Sequence, residues 1–472
     1  MSAQKHLKGV HVKHYKNTAG MPIIPMALPE RVYIPMSQHI GAPCKPVVAV
    51  GDHVKVGQLI GDSDQRVSAP IHSSVSGEVE AIQQFMTQMG RVDTSIVIKT
   101  DGRQEVADTV VPPVINSKED FLAAVRASGV VGLGGATFPM AAKFNTQPWQ
   151  HLDTFIVNGA ECEPYITVDH AAMLTCAKDI IEGIRAIIKW LDIPRAIIGI
   201  ESNKPDAIAK FNELLAGSTD ITVHTLRQVY PQGAERVILY ECTGRHLPAG
   251  FLPFDRGCII CNVSSVLKLQ QYLATGMPLV SKAVTVDGNI VAKPQNVEVP
   301  IGTKICDLIE FCGGLTGDVR KIILGGPMMG RAIPRDDFAI IKGNSAVLCF
   351  DETFATQRKE TACINCGRCV AGCPMNLMPA RLSRAFKERD LDALREYNVM
   401  TCMDCGCCAY SCPARKQLNF EIKQAKALVM EDDRKKKAKA DAQAAKDADE
   451  AKLKEAIANK TSAEKKEEGG NK

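Results

Sequence analysis

The sequence Cys363-Ile-Asn-Cys366-Gly-Arg-Cys369-Val-Ala-Gly-Cys373-Pro374 is matched 39 residues later by Cys402-Met-Asp-Cys405-Gly-Cys-Cys408-Ala-Tyr-Ser-Cys412-Pro413. Both runs have the spacing C-x2-C-x2-C-x3-C-P, in which three cysteines hold one 4Fe–4S cluster and the fourth holds the other cluster. The duplication therefore predicts a ferredoxin-type domain that transfers single electrons. The predicted ligands are Cys363, Cys366, Cys369 and Cys412 for one cluster, and Cys402, Cys405, Cys408 and Cys373 for the other.

Other interpretations of the cysteines fit the sequence less well. Zinc sites usually pair two C-x2-C units across a longer gap, and a disulfide framework is typical of small secreted chains. Cys407 lies next to a predicted ligand, but the 39-residue offset selects Cys408, so Cys407 is interpreted as a packing neighbour. Cys258 and Cys261 flank two isoleucines, and this pattern predicts small buried residues of a strand.

Composition excludes some classes of protein. The chain has 472 residues and a net charge of +4, without a basic stripe interleaved with aromatic residues, so no nucleic-acid partner is expected. No apolar run of about 18 residues and no signal-peptide core is present, so we expect a cytoplasmic chain that is able to dock onto a membrane complex.

The pattern along the chain predicts an α/β multidomain protein. Alternating apolar residues and glycines over 31–100 resemble the barrel-sandwich hybrid of lipoyl domains, without the modified lysine at the hairpin tip, so no covalent cofactor is expected there. Alternating helical and strand-like segments over 117–280 predict a mostly parallel sheet, and 281–345 resembles a β-grasp (SLBB) module. Residues 377–398 favour helix, and the charged tail is either a solvated helix or disordered. The predicted boundaries are 1–30, 31–115, 116–280, 281–350, 351–425 and 426–472.

A glycine-rich stretch, Gly132-Leu-Gly134-Gly135-Ala-Thr-Phe138-Pro139, provides a candidate phosphate loop. A Rossmann fingerprint follows a strand and opens a helix, whereas this stretch follows a helix-like segment, so the standard dinucleotide fold is not predicted. Glycines permit close backbone approach to a phosphate, and Lys143 provides a nearby cation. A structural turn is the alternative interpretation.

Further segments make the resemblance specific: Asn158-Gly-Ala-Glu161-Cys-Glu163-Pro164, then Tyr230-Pro-Gln-Gly233-Ala-Glu235, then Cys261-Asn262-Val263. Together with the glycine stretch they resemble the FMN- and NADH-binding subunit of respiratory complex I. With the cysteine repeats and the β modules, residues 30–425 resemble the RnfC family, peripheral subunits of Rnf ferredoxin:NAD oxidoreductases. The chain departs from the complex I pattern at Leu133, Thr137, Ala160 and Ala234.

The resemblance implies which residues contact the cofactors. Gly132, Gly134, Gly135 and Lys143 would hold the phosphate of a non-covalent FMN, and Asn158 and Asn262 would contact the flavin. Phe138, Glu161 and Glu235 would line the side on which NAD(H) binds, and Tyr230 and Gly233 would be further cofactor-binding residues. It also implies an NADH dehydrogenase-type oxidoreductase subunit, peripheral on the cytoplasmic face of the cell membrane. Its implied partners are the integral membrane and iron–sulfur subunits of an Rnf complex and, indirectly, ferredoxin.

Two alternatives remain open at this point. One is the diaphorase subunit of a soluble NAD-dependent hydrogenase or formate dehydrogenase, which shares the flavin motifs. The other is an iron–sulfur electron conduit without flavin. A related sodium-pumping quinone reductase subunit has a similar body and no clusters, so the body alone does not establish that flavin is used.

Overall fold

The structure is a computed structural model, and it describes residues 7–145, 151–356 and 359–468. Packing divides the chain into two compact units. The first unit runs to Asn376 and also includes Cys405–Lys416, and the second comprises Leu377–Asp404 and the chain from Gln417 onward. The first cysteine run therefore lies in the first unit, whereas Cys402 belongs to the second.

Antiparallel strands form the N-terminal part of the first unit. After β1 (Ile23–Pro25), which belongs to another sheet, they are β2 (Arg31–Pro35), β3 (Lys45–Pro46), β4 (His53–Val54), β5 (Leu59–Asp62), β6 (Ile71–His72), β7 (Gly77–Met86) and β8 (Val92–Thr100). Their sheets have the orders β2-β8-β7-β4 and β3-β5-β6. Along β2, Val32 and Ile34 are fully buried whereas Arg31 and Tyr33 are partly exposed, as expected for alternating residues of a half-buried strand. The predicted all-β module is confirmed.

A parallel sheet flanked by helices forms the central part. The elements are α1 (Lys118–Ala127), α2 (Met140–Phe144), β9 (Thr154–Gly159), α3 (Val168–Thr175), α4 (Ala177–Leu191), β10 (Ala196–Glu201), α5 (Pro205–Leu214), β11 (Ile221–Leu226), α6 (Glu235–Thr243), β12 (Cys258–Asn262) and α7 (Val263–Thr275). The predicted parallel sheet is confirmed, with the order β11-β10-β9-β12. The predicted helix over 170–190 is interrupted at Cys176, whose φ of −120° is not helical.

The direction in which successive strands are added to this sheet reverses at β9. From β9 it passes through β10 to β11, and it then returns to place β12 on the other side of β9. Ligands of parallel α/β sheets bind beyond the carboxyl ends of the strands at such a switch point. Asn158 of β9 and Asn262 of β12 are paired in the strand register, so both predicted flavin contacts lie at the switch point.

A mixed sheet follows in the first unit. Its elements are β13 (Ser281–Gly288), β14 (Gln295–Pro300), α8 (Ile305–Phe311), β15 (Lys321–Leu324), β16 (Arg331–Ile333), β17 (Ala346–Phe350) and α9 (Glu352–Ala355). The sheet order is β1-β14-β13-β17-β15-β16. The hairpin predicted at 283–288 is confirmed, because β13 and β14 are antiparallel neighbours. The strand β1, from near the N-terminus, joins this sheet parallel to β14.

The cysteine runs and the C-terminal part are helical. The helices are α10 (Arg368–Ala371), α11 (Pro379–Glu388), α12 (Leu391–Glu396), α13 (Cys407–Tyr410) and α14 (Leu418–Glu468). Within the second unit, α11 and α12 pack against the beginning of α14, where Ile422, Ala425 and Val429 are buried. The helix predicted over 377–398 is confirmed, with a break at Arg389, which has a left-handed φ of 53°.

The charged tail is part of helix α14. Of the two predicted alternatives, a solvated helix and a disordered segment, the structure shows the helix. The Arg395 Nη2 atom lies 2.7 Å from Asp433 Oδ1, and this ion pair attaches the helix to α12. From Arg434 onward the described side chains are exposed. In the parts of the chain that the structure describes, no helix combines the length and the hydropathy needed to cross a membrane.

Candidate functional site

The glycine loop (residues 132–138) connects α1 to α2. The Gly132 N–H donates to the Phe138 carbonyl at 2.9 Å, which closes the base of the loop. The Leu133 N–H donates to the Ser265 hydroxyl at 2.9 Å, and Lys282 Nζ donates to the Leu133 carbonyl at 2.8 Å. The loop is thus held from α7 and from β13, while its tip, residues 134–136, is exposed.

The two glycines at the loop tip have different surroundings. A Cβ atom on Gly134 would lie 2.5 Å from Asn262 Nδ2 and 2.9 Å from Asn262 Cγ, so only glycine permits this close approach. A Cβ atom on Gly135 would meet nothing within 4 Å. The loop therefore contacts the end of β12 through Gly134 and leaves open space beside Gly135, as a cradle for a phosphate requires.

The asparagines at the switch point organise the neighbouring loops. Asn158 Nδ2 donates to the Gly233 carbonyl at 2.8 Å, which brings the segment after Tyr230 onto the end of β9. Asn262 accepts the Ser264 N–H at 3.0 Å as the N-cap of α7, and its Nδ2 donates to Asp169 at 2.7 Å. All the segments of the resemblance thus meet at one edge of the sheet.

Glu161 lies in the acidic loop (residues 160–166), and its carboxylate points inward. Its Oε1 accepts the Asp169 N–H at 2.6 Å, at the N-terminus of α3. Lys16 Nζ donates to the carbonyls of Glu161 and Glu163 at 2.9 and 3.0 Å and lies 3.9 Å from Glu161 Oε2. Burial raises the pKa of Glu161 to about 7, and the charge of Lys16 opposes that rise. The carboxylate thus attaches the acidic loop to the N-terminus of α3, and Lys16 binds the backbone of the loop.

Glu163 and Tyr230 link this loop to other parts of the first unit. The Glu163 carboxylate accepts the N–H groups of Met328 and Met329 at 3.0 and 2.8 Å, and burial raises its pKa. The Tyr230 hydroxyl donates to the Cys405 carbonyl at 2.8 Å. Tyr230 therefore joins the α/β part to the second cysteine run.

Lys143 and Glu235 form an ion pair. Lys143 Nζ lies 3.0 Å from Glu235 Oε1 and donates to the Ile260 carbonyl of β12 at 2.8 Å. Although burial favours the neutral amine, the charge of Glu235 raises the pKa of Lys143, so the ammonium form persists. The structure thus places this cation at the end of α2, with partners on α6 and β12.

The cysteine runs share one backbone conformation. The helices α10 and α13 begin 39 residues apart, which is the offset of the duplication. The equivalent residues Gly367 and Gly406 both have a left-handed backbone, at φ 72° and 77°. Asn365 and Asp404 form a second such pair, at φ 53° and 58°. Equivalent turns place the two sets of thiols in equivalent local settings, which suits two similar clusters.

Burial distinguishes the cysteines of the two runs. Cys373, Cys405 and Cys408 are buried, whereas Cys363 and Cys366 are exposed. A hydrogen bond with Cys405, together with burial and the thiols of Cys405, Cys408 and Cys373, raises the pKa of Cys407. The fourth cysteine of the first run therefore lies near thiols of the second. No set of three or more Cys, His, Asp or Glu side chains within the described ranges is arranged as a metal site, so the ligand assignment stays a prediction.

Cys258 and Cys261 are strand residues, as predicted. Both lie in β12 and are buried, and burial raises the pKa of Cys261 to about 11. Their neutral thiols pack in the core of the sheet.

Sequence reasoning missed several residues that shape the site. Asp169 binds the side chain of Asn262, Lys282 binds the glycine loop, and Lys16 binds the acidic loop. Lys16 belongs to the N-terminal strap (residues 7–25), in which Val10 also pairs with Tyr230 through backbone hydrogen bonds of 2.8 and 2.9 Å. No local pattern reveals Lys16, because Glu161 is 145 residues away in the sequence.

Family models match most of the chain. The RnfC barrel sandwich hybrid domain matches residues 4–103, and the Nuo51 FMN-binding domain matches residues 125–271. The SLBB domain matches residues 283–332, and a 4Fe-4S dicluster domain matches residues 355–413. The predicted fold, with a β hybrid, an α/β flavin domain, a β-grasp module and a ferredoxin-type domain, is confirmed.

Curated relatives are similar over nearly the whole chain. The C subunit of the proton-translocating ferredoxin:NAD(+) oxidoreductase complex of Clostridium ljungdahlii is 42% identical, over 83% of this chain and 87% of the relative. The C subunit of the Na(+)-translocating ferredoxin:NAD(+) oxidoreductase complex of Acetobacterium woodii is 38% identical, over 90% of this chain and 97% of the relative. The C subunit of the ion-translocating oxidoreductase complex of Rhodobacter capsulatus is 36% identical, over 83% and 77%. The chain therefore belongs to the RnfC family, the C subunits of ion-translocating ferredoxin:NAD(+) oxidoreductase complexes.

Proposed function

We propose that this chain exchanges hydride between NAD(H) and a non-covalent FMN and exchanges single electrons with two 4Fe–4S clusters. The observation that carries the proposal is the close contact of Gly134 with Asn262 at the switch point. A Cβ atom placed on Gly134 would lie only 2.5 Å from Asn262 Nδ2. A ligand-binding edge and a glycine loop meet there, as a phosphate-bearing cofactor requires. The family membership supports the same function.

Each side of the site has its own task. The backbone of Gly132, Gly134 and Gly135 surrounds the FMN phosphate, with Lys143 adding positive charge, and Asn158 and Asn262 position the flavin ring. Phe138, Glu161, Tyr230, Gly233 and Glu235 shape the side at which NAD(H) enters. Bound FMN exchanges two electrons with nicotinamide and one electron at a time with clusters, and the protein provides orientation and electrostatics.

The clusters and partners complete the proposal. Cys363, Cys366, Cys369 and Cys412 hold one cluster, and Cys402, Cys405, Cys408 and Cys373 hold the other. We propose the same domain limits as the sequence predicts, with the ferredoxin-type domain at 351–425. The chain binds peripherally at the cytoplasmic face of the membrane to the other subunits of an Rnf complex, through which electrons are exchanged with ferredoxin.

The direct test is anaerobic purification of the chain at native abundance from gently broken cells. We expect about eight iron and eight sulfide per chain, one FMN, reduction of an artificial acceptor by NADH, and sedimentation with membrane subunits. Iron without flavin would favour the electron conduit. Recovery with soluble hydrogenase or formate dehydrogenase subunits, and without membrane proteins, would contradict the proposed assembly.

Replacing Lys143 with alanine is expected to weaken FMN binding only moderately. The change removes one charge-assisted contact among several, which is worth about 1.5–3 kcal/mol. Titration of the flavin-free protein with FMN, followed by flavin fluorescence, measures the dissociation constant. The matched control is Lys178→Ala, an exposed lysine of α4, which should leave it unchanged. A Lys143 variant that binds FMN like the unmodified protein would remove this residue from the site.

A further inference from the structure

Lys282 is a buried cation that reaches the glycine loop from a different module. It lies on β13 of the β-grasp part, and only 4% of the residue is exposed. Its Nζ atom donates to the Leu133 carbonyl, the residue before Gly134, at 2.8 Å. The β-grasp part thus places a positive charge against the backbone of Leu133, next to the loop tip in sequence.

The ammonium group has unused hydrogen-bonding capacity. An ammonium carries three donors, and among the described residues the Leu133 carbonyl is the acceptor within hydrogen-bonding distance of Nζ. No carboxylate of the described chain lies within ion-pair distance of it, although Asp169 and Glu298 act on it at longer range. Burying a charge is costly unless it is paired and hydrogen-bonded, so this site favours an anion.

Electrostatics supports the same conclusion. Burial lowers the pKa of Lys282 to about 8, and the charges of Asp169 and Glu298 oppose that decrease. An anion at the loop tip would stabilise the ammonium form further. In contrast, the ammonium group of Lys143 is already partnered by Glu235 and by the Ile260 carbonyl.

We propose that Lys282 is the principal cation that recognises the phosphate group bound at the glycine loop. The inference rests on the proposed function, and it adds a residue of the β-grasp part to the flavin site. Because FMN and NAD(H) both carry phosphate, the shared chemistry is a phosphate ester. We assign Lys282 to the FMN phosphate, since Gly134 of the loop tip packs against Asn262, which is an expected flavin contact.

The test compares FMN with riboflavin, which lacks the phosphate, as ligands of the full-length flavin-free protein. Lys282→Gln keeps an N–H donor for the Leu133 carbonyl and removes the charge, and Lys282→Met removes both. We expect both variants to bind FMN more weakly than the Lys143→Ala variant does and at least about tenfold more weakly than the unmodified protein, as loss of a charge-assisted hydrogen bond predicts, and to bind riboflavin within about twofold of the unmodified protein. The affinity for tetrahydro-NADH, which cannot donate hydride, should also stay within about twofold.

Lys342→Met is the matched control. Lys342 is also buried, and its Nζ donates to the carbonyls of Pro70 and Gly129, each at 2.7 Å, neither of which belongs to the glycine loop. This variant should lose stability without changing the ratio of FMN to riboflavin affinity.

If the Lys282 variants lose FMN and riboflavin affinity equally, the residue acts only by holding the loop, and the proposal is wrong. A selective loss of tetrahydro-NADH affinity would assign the lysine to the dinucleotide instead. If the unmodified protein bound no FMN, the proposed function itself would fail.

Discussion

Replacing Cys373 with alanine is expected to remove about half of the iron, about four of eight atoms per chain. Cys373 belongs to the first run in sequence, but it is buried and its thiol acts on Cys407, beside Cys405 and Cys408. The substitution should therefore remove the cluster of the second run, if the fourth ligand of each cluster comes from the other run as proposed. Iron analysis and low-temperature electron paramagnetic resonance of the reduced protein measure the loss.

Two further variants make this result interpretable. Cys407→Ser changes a buried neighbour that is not a predicted ligand, so the iron content should stay complete. Cys363→Ala and Cys402→Ala identify the spectrum of each cluster. If the Cys373 variant loses the signal that Cys363→Ala removes, the exchange of ligands between the runs is wrong.

Replacing Gly134 with valine is expected to abolish retention of FMN. The added Cβ atom would lie 2.5 Å from Asn262 Nδ2, so the loop would have to move away from the end of β12. This movement destroys the close approach of backbone that the phosphate requires. Flavin absorbance after gel filtration measures retention, and unchanged flavin binding would place the site elsewhere.

Gly135→Ala separates a ligand effect from a folding effect. A Cβ atom at Gly135 meets nothing within 4 Å, so the thermal unfolding midpoint should stay unchanged while the affinity for FMN decreases. Gly317→Ala is the control, since its Cβ atom would make an ordinary contact of 3.7 Å with Ile290 and should affect neither property. Unchanged FMN affinity in the Gly135 variant would exclude Gly135 from the phosphate cradle.

Local patterns predicted the elements of this chain better than their arrangement. The strands at 155–157, 196–200 and 221–223 were predictable because apolar β-branched runs lie between helical segments. The position of β12 beside β9 was not predictable, because strand order depends on contacts distant in sequence. The break at Cys176 has no glycine or proline to indicate it.

For the site as well, residues within motifs were predictable, whereas residues that act through distant segments were not. The resemblance indicated Asn158 and Asn262, and the structure brings them together as register partners. It did not indicate Lys282 or Asp169, because each acts through residues of another segment and neither belongs to a motif. The inward direction of the Glu161 carboxylate was equally inaccessible, since it depends on the N-terminus of α3 and on Lys16.

The N-terminal strap has a consequence for synthesis on the ribosome. It emerges before its partners, which include Tyr230 and, through Ile23, Asn296 of β14. At about 5–20 residues per second, these partners follow on the order of 10–55 s later. Lys16 likewise cannot bind the acidic loop until Glu161, 145 residues later, has been synthesised. Chaperones that capture the emerging strap would therefore delay completion of the site, whose other residues lie far along the chain.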